Sequence, residues 1–214
     1  MLLKIAKTIG DFTVLVLGIV GGVAAGKSVV AEEFERLGAA RIDADRLGHD
    51  ALRLPEVATA ARERWGDAIF GSDGRIDRPS LGAIVFAEGP DAEQERRYLV
   101  SLTHPRITQM FEREKARCEK EGKSVMILDA PLLIEAGWAS LCDRVIWVES
   151  TEADRLRRAK ERGWSEDELH LREASQLPFE EKRSRADSVI DNTGTREATR
   201  ARVSAYWKSL LSNS

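Results

Sequence analysis

A chain of 214 residues, 43% of them hydrophobic, is long enough to bury one sizeable core, or a core that carries an inserted subdomain. Its formal charge of -3, with 32% charged residues, excludes the global positive field of a nucleic-acid or anionic-membrane binder, so an anionic ligand must be held by cations gathered locally. The two cysteines, Cys118 and Cys142, form no CxxC pattern; they suggest neither a disulfide framework nor a zinc site, and buried thiols in a reducing cytosol is the plain reading.

In chain order, Lys4 and Lys7 followed by an apolar run are what an export signal offers, but Asp11 stands between them and the run, and Gly18, Gly21 and Gly22 break its hydrophobic half. The uncharged stretch 12–26 is also shorter than the roughly 20 residues a spanning helix needs. The same letters read as a strand over 13–20 leading into Gly21-xxxx-Gly26-Lys27-Ser28, the P-loop pattern. Glycines there let successive N–H groups turn toward phosphate oxygens, the helix start adds its dipole, Lys27 reaches the terminal phosphates and the Ser28 hydroxyl can ligate Mg²⁺. The helix itself is marked by Val30, Phe34 and Leu37 at i, i+4, i+7, by Glu32, Glu33 and Arg36 on the other face, and by Gly38 as a left-handed stop.

A second strand over 41–43 runs into Asp43-Ala44-Asp45, at the end of a strand-helix-strand unit that lies beside the phosphate cradle. Two residues apart in extended chain, both carboxylates would face the transferred phosphate, one aiding a metal and the other accepting a hydroxyl proton; capping of a helix over 46–51 is the alternative. From 47 to 122 there is no convincing buried strand. Charged, Ala- and Leu-rich helical stretches, punctuated by Gly71-Ser72-Asp73-Gly74 and Gly89-Pro90, predict a helical insertion between core segments 13–46 and 123–214. The strand over 124–128 ends in Asp129, where a P-loop protein holds its magnesium shell, though strand-end aspartates also serve as turn formers.

After a strand over 144–148 come Arg155, Arg157, Arg158, Lys160 and Arg162, of which Arg155, Arg158 and Arg162 share one helical face. Alone this is a solvated charge run; beside a P-loop it reads as a lid, over 151–178, that closes guanidinium groups on a leaving phosphate. Ser165 with Glu168 makes a capping box, Pro178 ends that helix, 188–190 is a last strand and 195–211 a closing helix, with loose ends over 1–10 and 212–214. Five apolar runs alternating with helices predict an α/β fold with a parallel sheet.

Together these residues resemble the dephospho-coenzyme A kinases, of the P-loop nucleoside-monophosphate-kinase-like fold. The likeness runs in order from Gly18 to about Gly194. It includes GGVAAGKS, Ile42-Asp43-Ala44-Asp45, Asp73-Gly74 with Asp77-Arg78 and Leu81, Val85-Phe86 and His104-Pro105-x-Ile107. It continues through Asp129-Ala130-Pro131-Leu132-Leu133-Ile134-Glu135, Arg158, Arg162, Gln176 and Ala186-Asp187-x-Val189-Ile190-Asp191-Asn192-x-Gly194. The P-loop alone is generic, whereas the Asp-Ala-Asp, His-Pro and Pro-Leu-Leu elements together are specific.

The resemblance implies a three-layer P-loop kinase core with a parallel five-stranded sheet, a helical acceptor-binding insertion and an arginine-rich lid. It implies phosphorylation of the ribose 3'-hydroxyl of dephospho-coenzyme A by ATP with Mg²⁺, the final step of coenzyme A synthesis. In that reading Lys27, Asp45 and Arg158 are catalytic, Asp45 looking like the base. ATP is held by Gly22, Val23, Ala24, Ala25, Gly26, Lys27, Ser28, Val29, Arg158, Arg162 and Asn192, the last in the adenine-side loop. Asp45, Arg78, His104 and Arg106 meet the acceptor, and Ser28, Asp43 and Asp129 serve the metal, with the division between Asp43 and Asp45 open. A cytoplasmic enzyme is expected, with no nucleic-acid, membrane or obligate protein partner.

The chain departs from the family pattern at Ala24, where a glycine is frequent, at Val29 for Thr, at Thr103 for Leu, and in about a dozen residues before the first strand. An adenylate- or cytidylate-type kinase shares the sheet, the loop and the lid, and differs in its acceptor. A guanine-nucleotide switch is disfavoured, because Asp191-x-x-Gly194 falls far too late after the P-loop and no Asn-Lys-x-Asp occurs.

Overall fold

Five apolar runs become five parallel strands in the order β2-β3-β1-β4-β5. The computed structural model describes residues 13–212, so Lys4, Lys7, Asp11 and the expected loose ends at 1–10 and 213–214 lie outside the described residues. Along the chain come β1 (Leu15–Gly21), α1 (Lys27–Arg36), β2 (Ala40–Asp43), α2 (Ala44–Leu52), α3 (Pro55–Trp65), α4 (Arg78–Val85) and α5 (Pro90–Lys120). They are followed by β3 (Val125–Asp129), β4 (Arg144–Glu149), α6 (Glu152–Glu161), α7 (Glu166–Ala174), α8 (Phe179–Ser184), β5 (Ser188–Asp191) and α9 (Arg196–Ser212). Strand ends differ from the sequence reading by a residue or two, and Ser212 belongs to α9.

One compact unit comprises the described residues up to Asp43 and from Lys115 onward. Its sheet is covered on both faces, which is why β1 and β3 are apolar without alternation. On one face Leu17, Ile19, Ile127, Ile146, Val148 and Ile190 pack against Val30, Ala31 and Phe34 of α1 and Val203 and Leu210 of α9. The Phe34 ring meets Tyr206 edge-on at 6.2 Å. On the other face the Trp147 ring of β4 lies 6.1 Å from Phe179 of α8. Gly18 is needed where β1 is crossed most closely, since a Cβ there would meet Cys142 Sγ at 2.7 Å.

The second unit, Ala44–Glu114, has its own core of Ala61, Ile69, Leu81 and Val85, with Trp65, Phe70 and Leu99 packed around it. Asp77 caps α4 by accepting from Ser80 N (2.9 Å) and Ser80 Oγ (2.6 Å), which holds its carboxyl below the usual range. Helix α5 carries Pro105 in its interior, so His104-Pro105 is helical here and not a break. Among the described residues no helix is long and apolar enough to cross a membrane.

Candidate active site

The cradle forms because β1 runs out of side chains at Gly21 and α1 starts at Lys27. Gly26, at φ 90°, is the N-cap, no side chain caps the helix and no acid sits in its first turn. The first N–H groups of α1 are therefore left for an anion, with the helix dipole behind them. Ala24 is the one non-glycine among the described residues with positive φ, at 56°. A methyl group thus occupies a conformation glycine takes freely, held there by packing with Val23, Ala159 and Leu169.

Lys27 Nζ donates to the carbonyl oxygens of Gly21 (3.1 Å) and Gly22 (2.9 Å), folding its stem back over the loop. Burial pushes its pKa from 10.5 down to about 8, helped by the charge of Lys182 and opposed by Asp129. A half-buried ammonium whose hydrogen bonds go only to carbonyls is a cation short of an anion.

Strand register assembles the carboxylates. Asp43 is the cross-strand partner of Asp129, and Asp129 in turn is level with Ile19 of β1, just before the cradle. Arg41, two residues before Asp43 and so on its face of β2, donates to Asp129 Oδ2 at 2.6 Å and to Glu35 at 3.1 Å. Asp45 is not in extended chain, as the Asp-Ala-Asp reading supposed: β2 stops at Asp43, and Asp45 lies in the first turn of α2, where the dipole favours a carboxylate. The alternation argument fails because the chain changes period between the two acids.

A divalent ion is tested by this donor set. Neighbouring carboxylates at Asp43 and Asp129, and the Ser28 hydroxyl at the start of α1, are hard oxygen donors of the kind Mg²⁺ takes. Among the described residues no group of three or more His, Cys, Asp or Glu could hold a metal by itself. Two such carboxylates and a hydroxyl suit an ion that takes its remaining oxygens from substrate phosphates and water.

The arginine run divides by face. Arg158 is half-buried and donates to Ala25 O (2.9 Å) and Asn192 O (2.9 Å), bracing the cradle directly. Arg155 pairs with Glu173 at 3.0 Å and lies 4.7 Å over the Phe179 ring. Arg157 faces solvent with Asp154 and Glu161, and Arg162 is exposed with its guanidinium 5.4 Å from the Trp164 ring. The capping box of Ser165 and Glu168 starts α7, while Pro178 caps α8 after α7 has already ended at Ala174.

Asn192 is buried, donates to Ala25 O at 2.7 Å and accepts from Thr199 Oγ1 at 2.7 Å, so its amide supports the loop from behind. Of the acceptor candidates, Arg78 is the exposed first residue of α4, and His104 is half-buried on the α5 face that carries Ile107 and Phe111. Arg106 pairs with Glu56 at 3.1 Å. Sequence reasoning missed Arg41, Phe179 and Lys182. Arg41 was signalled by strand alternation with Asp43, but Lys182 sits in a charged stretch that reads as solvent-facing.

A family model described as dephospho-CoA kinase matches residues 15–197. The chain is 40% identical to the dephospho-CoA kinase of Geobacillus kaustophilus, covering 91% of this chain and 96% of that one. It is 43% identical to that of Geobacter metallireducens over the same shares. Among solved structures, TT1252 from Thermus thermophilus superposes with a TM-score of 0.76 at 30% identity, covering 94% of this chain and 97% of that one. A dephospho-CoA kinase from Campylobacter jejuni does so with a TM-score of 0.58 at 25% identity, covering 91% and 96%.

Proposed function

The chain belongs to the dephospho-CoA kinase family, and we propose that Lys27, Asp45 and Arg158 carry its chemistry, with Mg²⁺ accompanying ATP. The enzyme uses ATP to phosphorylate the 3'-hydroxyl of dephospho-coenzyme A, the final step of coenzyme A synthesis. The observation that carries the assignment of roles is the cradle itself. An uncapped α1 start, a half-buried Lys27 bonded only to backbone carbonyls, and Arg158 bonded to Ala25 O all gather on the loop between β1 and α1.

In this reading the triphosphate lies along residues 22–29, its oxygens meeting the N–H groups that open α1. Lys27 exchanges its carbonyl partners for phosphate oxygens and stabilises charge that builds on the transferring group. Arg158 gains most when the leaving phosphate forms, because its planar fork is already held in place beside the loop. Asp45 accepts or orients the proton of the attacking 3'-hydroxyl, and Asn192 keeps the loop in shape through Ala25. Arg162, exposed beside Trp164, is the lid cation that meets ATP on closure. Ser28, Asp43 and Asp129 would hold the divalent ion, which would offset negative charge on the triphosphate. Residues 44–114 supply acceptor contacts, with Arg78, His104 and Arg106 as the polar ones. Binding energy from the long arm of the acceptor aligns its 3'-hydroxyl. Cys118 and Cys142, in no disulfide among the described residues, accord with a cytoplasmic enzyme.

Incubation with MgATP and dephospho-coenzyme A should give ADP and coenzyme A in equal amounts, with mass spectrometry placing the new phosphate on the 3'-oxygen. A kcat/KM for AMP or CMP as high as that for dephospho-coenzyme A would replace this acceptor by a nucleoside monophosphate.

A further inference from the structure

Lys182 is the one lysine among the buried residues of the described chain, with only 2% of its side chain exposed, and no step above uses it. Its Nζ lies 2.7 Å from Glu135 Oε1 and 2.7 Å from Gln176 Oε1. Glu135 belongs to the loop that follows β3 and Asp129, and its Oε1 also accepts from Leu177 N at 3.1 Å. Three turns of chain are thereby tied at one buried point: the loop after β3, the connection from α7 to α8, and α8 itself.

One helical turn before Lys182 on the same face of α8 is Phe179. Its ring presses on the cradle so closely that a Cβ on Gly22 would meet it at 2.9 Å, and the Arg155 guanidinium lies 4.7 Å over the same ring. The tie at Lys182 therefore fixes the helix whose Phe179 forms one wall of the phosphate loop. A lysine ammonium desolvated to this degree needs such partners, but stability alone does not demand them, since an apolar side chain of similar length could fill the same space.

We propose that Lys182 is a positioning residue for phosphoryl transfer: by joining Glu135 to Gln176 it locks α8, and with it Phe179, against Gly22 of the cradle. The inference rests on the kinase reading, which turnover by the unmodified enzyme tests separately.

The experiment compares Lys182→Met, Lys182→Arg and the double variant Lys182→Met/Glu135→Met with the unmodified enzyme, using MgATP and dephospho-coenzyme A. The single Met variant should lose at least tenfold in kcat while both KM values stay within threefold, and Lys182→Arg should recover most of that loss. The double variant, with no charge left unpaired, should regain the melting temperature but not kcat. Recovery of kcat together with the melting temperature would overturn the proposal, leaving the pair a fold-stabilising contact. A loss carried wholly by KM would overturn it too, making Lys182 a binding residue.

Discussion

Lys27→Met should make the nucleotide-free protein more stable while removing its activity. The lysine is held at a pKa of about 8 against an ordinary 10.5, chiefly by burial, so folding works against its charge. At about 1.4 kcal/mol per tenfold change in proton affinity, that is about 3 kcal/mol at pH 7. Methionine keeps the stem and removes the charge, but it forfeits the bonds to Gly21 O and Gly22 O, each worth about 1 kcal/mol. The net gain at pH 7 is then about 1–2 kcal/mol, a rise of a few degrees in Tm for a chain of this size. Because the folded-state pKa is depressed, the penalty is fully present below about 8 and fades as pH climbs toward 10.5. It should fall by about 2 kcal/mol between pH 7 and pH 9.5, erasing the variant's advantage. Urea unfolding of both proteins at the two pH values measures this, and turnover assays should show at least a roughly hundredfold fall in kcat. A variant less stable at pH 7, or an advantage that does not narrow with pH, would refute the reasoning.

The same titration acts in the opposite sense on ATP binding, which needs the ammonium. Calorimetric affinity should fall about tenfold from pH 7 to pH 9 in the unmodified enzyme and stay flat in Lys27→Met. Asp45→Asn should lower kcat far more than it changes ATP affinity, whereas Asp43→Asn, beside Asp129 in the sheet, should raise the Mg²⁺ concentration needed for half-maximal rate; the reverse pattern in steady-state kinetics would exchange their roles. Gly26→Ala should cost roughly 2–4 kcal/mol and abolish nucleotide binding, because its Cβ would lie 2.1 Å from Asn192 Nδ2 at a φ of 90°, and unfolding curves with binding titrations check both. Arg158→Ala should depress kcat more than it weakens binary ATP binding, while Arg157→Ala, on the solvent face of α6, should leave both unchanged.

Much of the core could be read locally. Strand β1 is a run that only a sheet covered on both faces tolerates, and Gly21-xxxx-Gly26-Lys27-Ser28 announces a turn whose backbone must approach something closely. Ser165 and Glu168 satisfy each other three residues apart, so their box was legible without any tertiary knowledge. The five strands, the all-parallel class and the position of the cradle therefore follow from periodicity, glycine placement and short-range hydrogen bonding.

The supports of the site have no such local signal. Arg41 reaches Asp129 from 88 residues away, Arg158 reaches Ala25 across 133, and Asn192 reaches the same Ala25 across 167. Lys182 stands in a run of charged residues, and no neighbour in sequence signals that the fold buries it against Glu135 and Gln176. The Asp-Ala-Asp motif was recognised, but whether its acids shared a face depended on where β2 gave way to α2, and that boundary lies between them. Motif and periodicity act over a few residues, through backbone sterics and neighbouring side chains. Which distant carbonyl a guanidinium meets, and which lysine loses its water, is decided only when strand pairing and helix packing bring remote segments together.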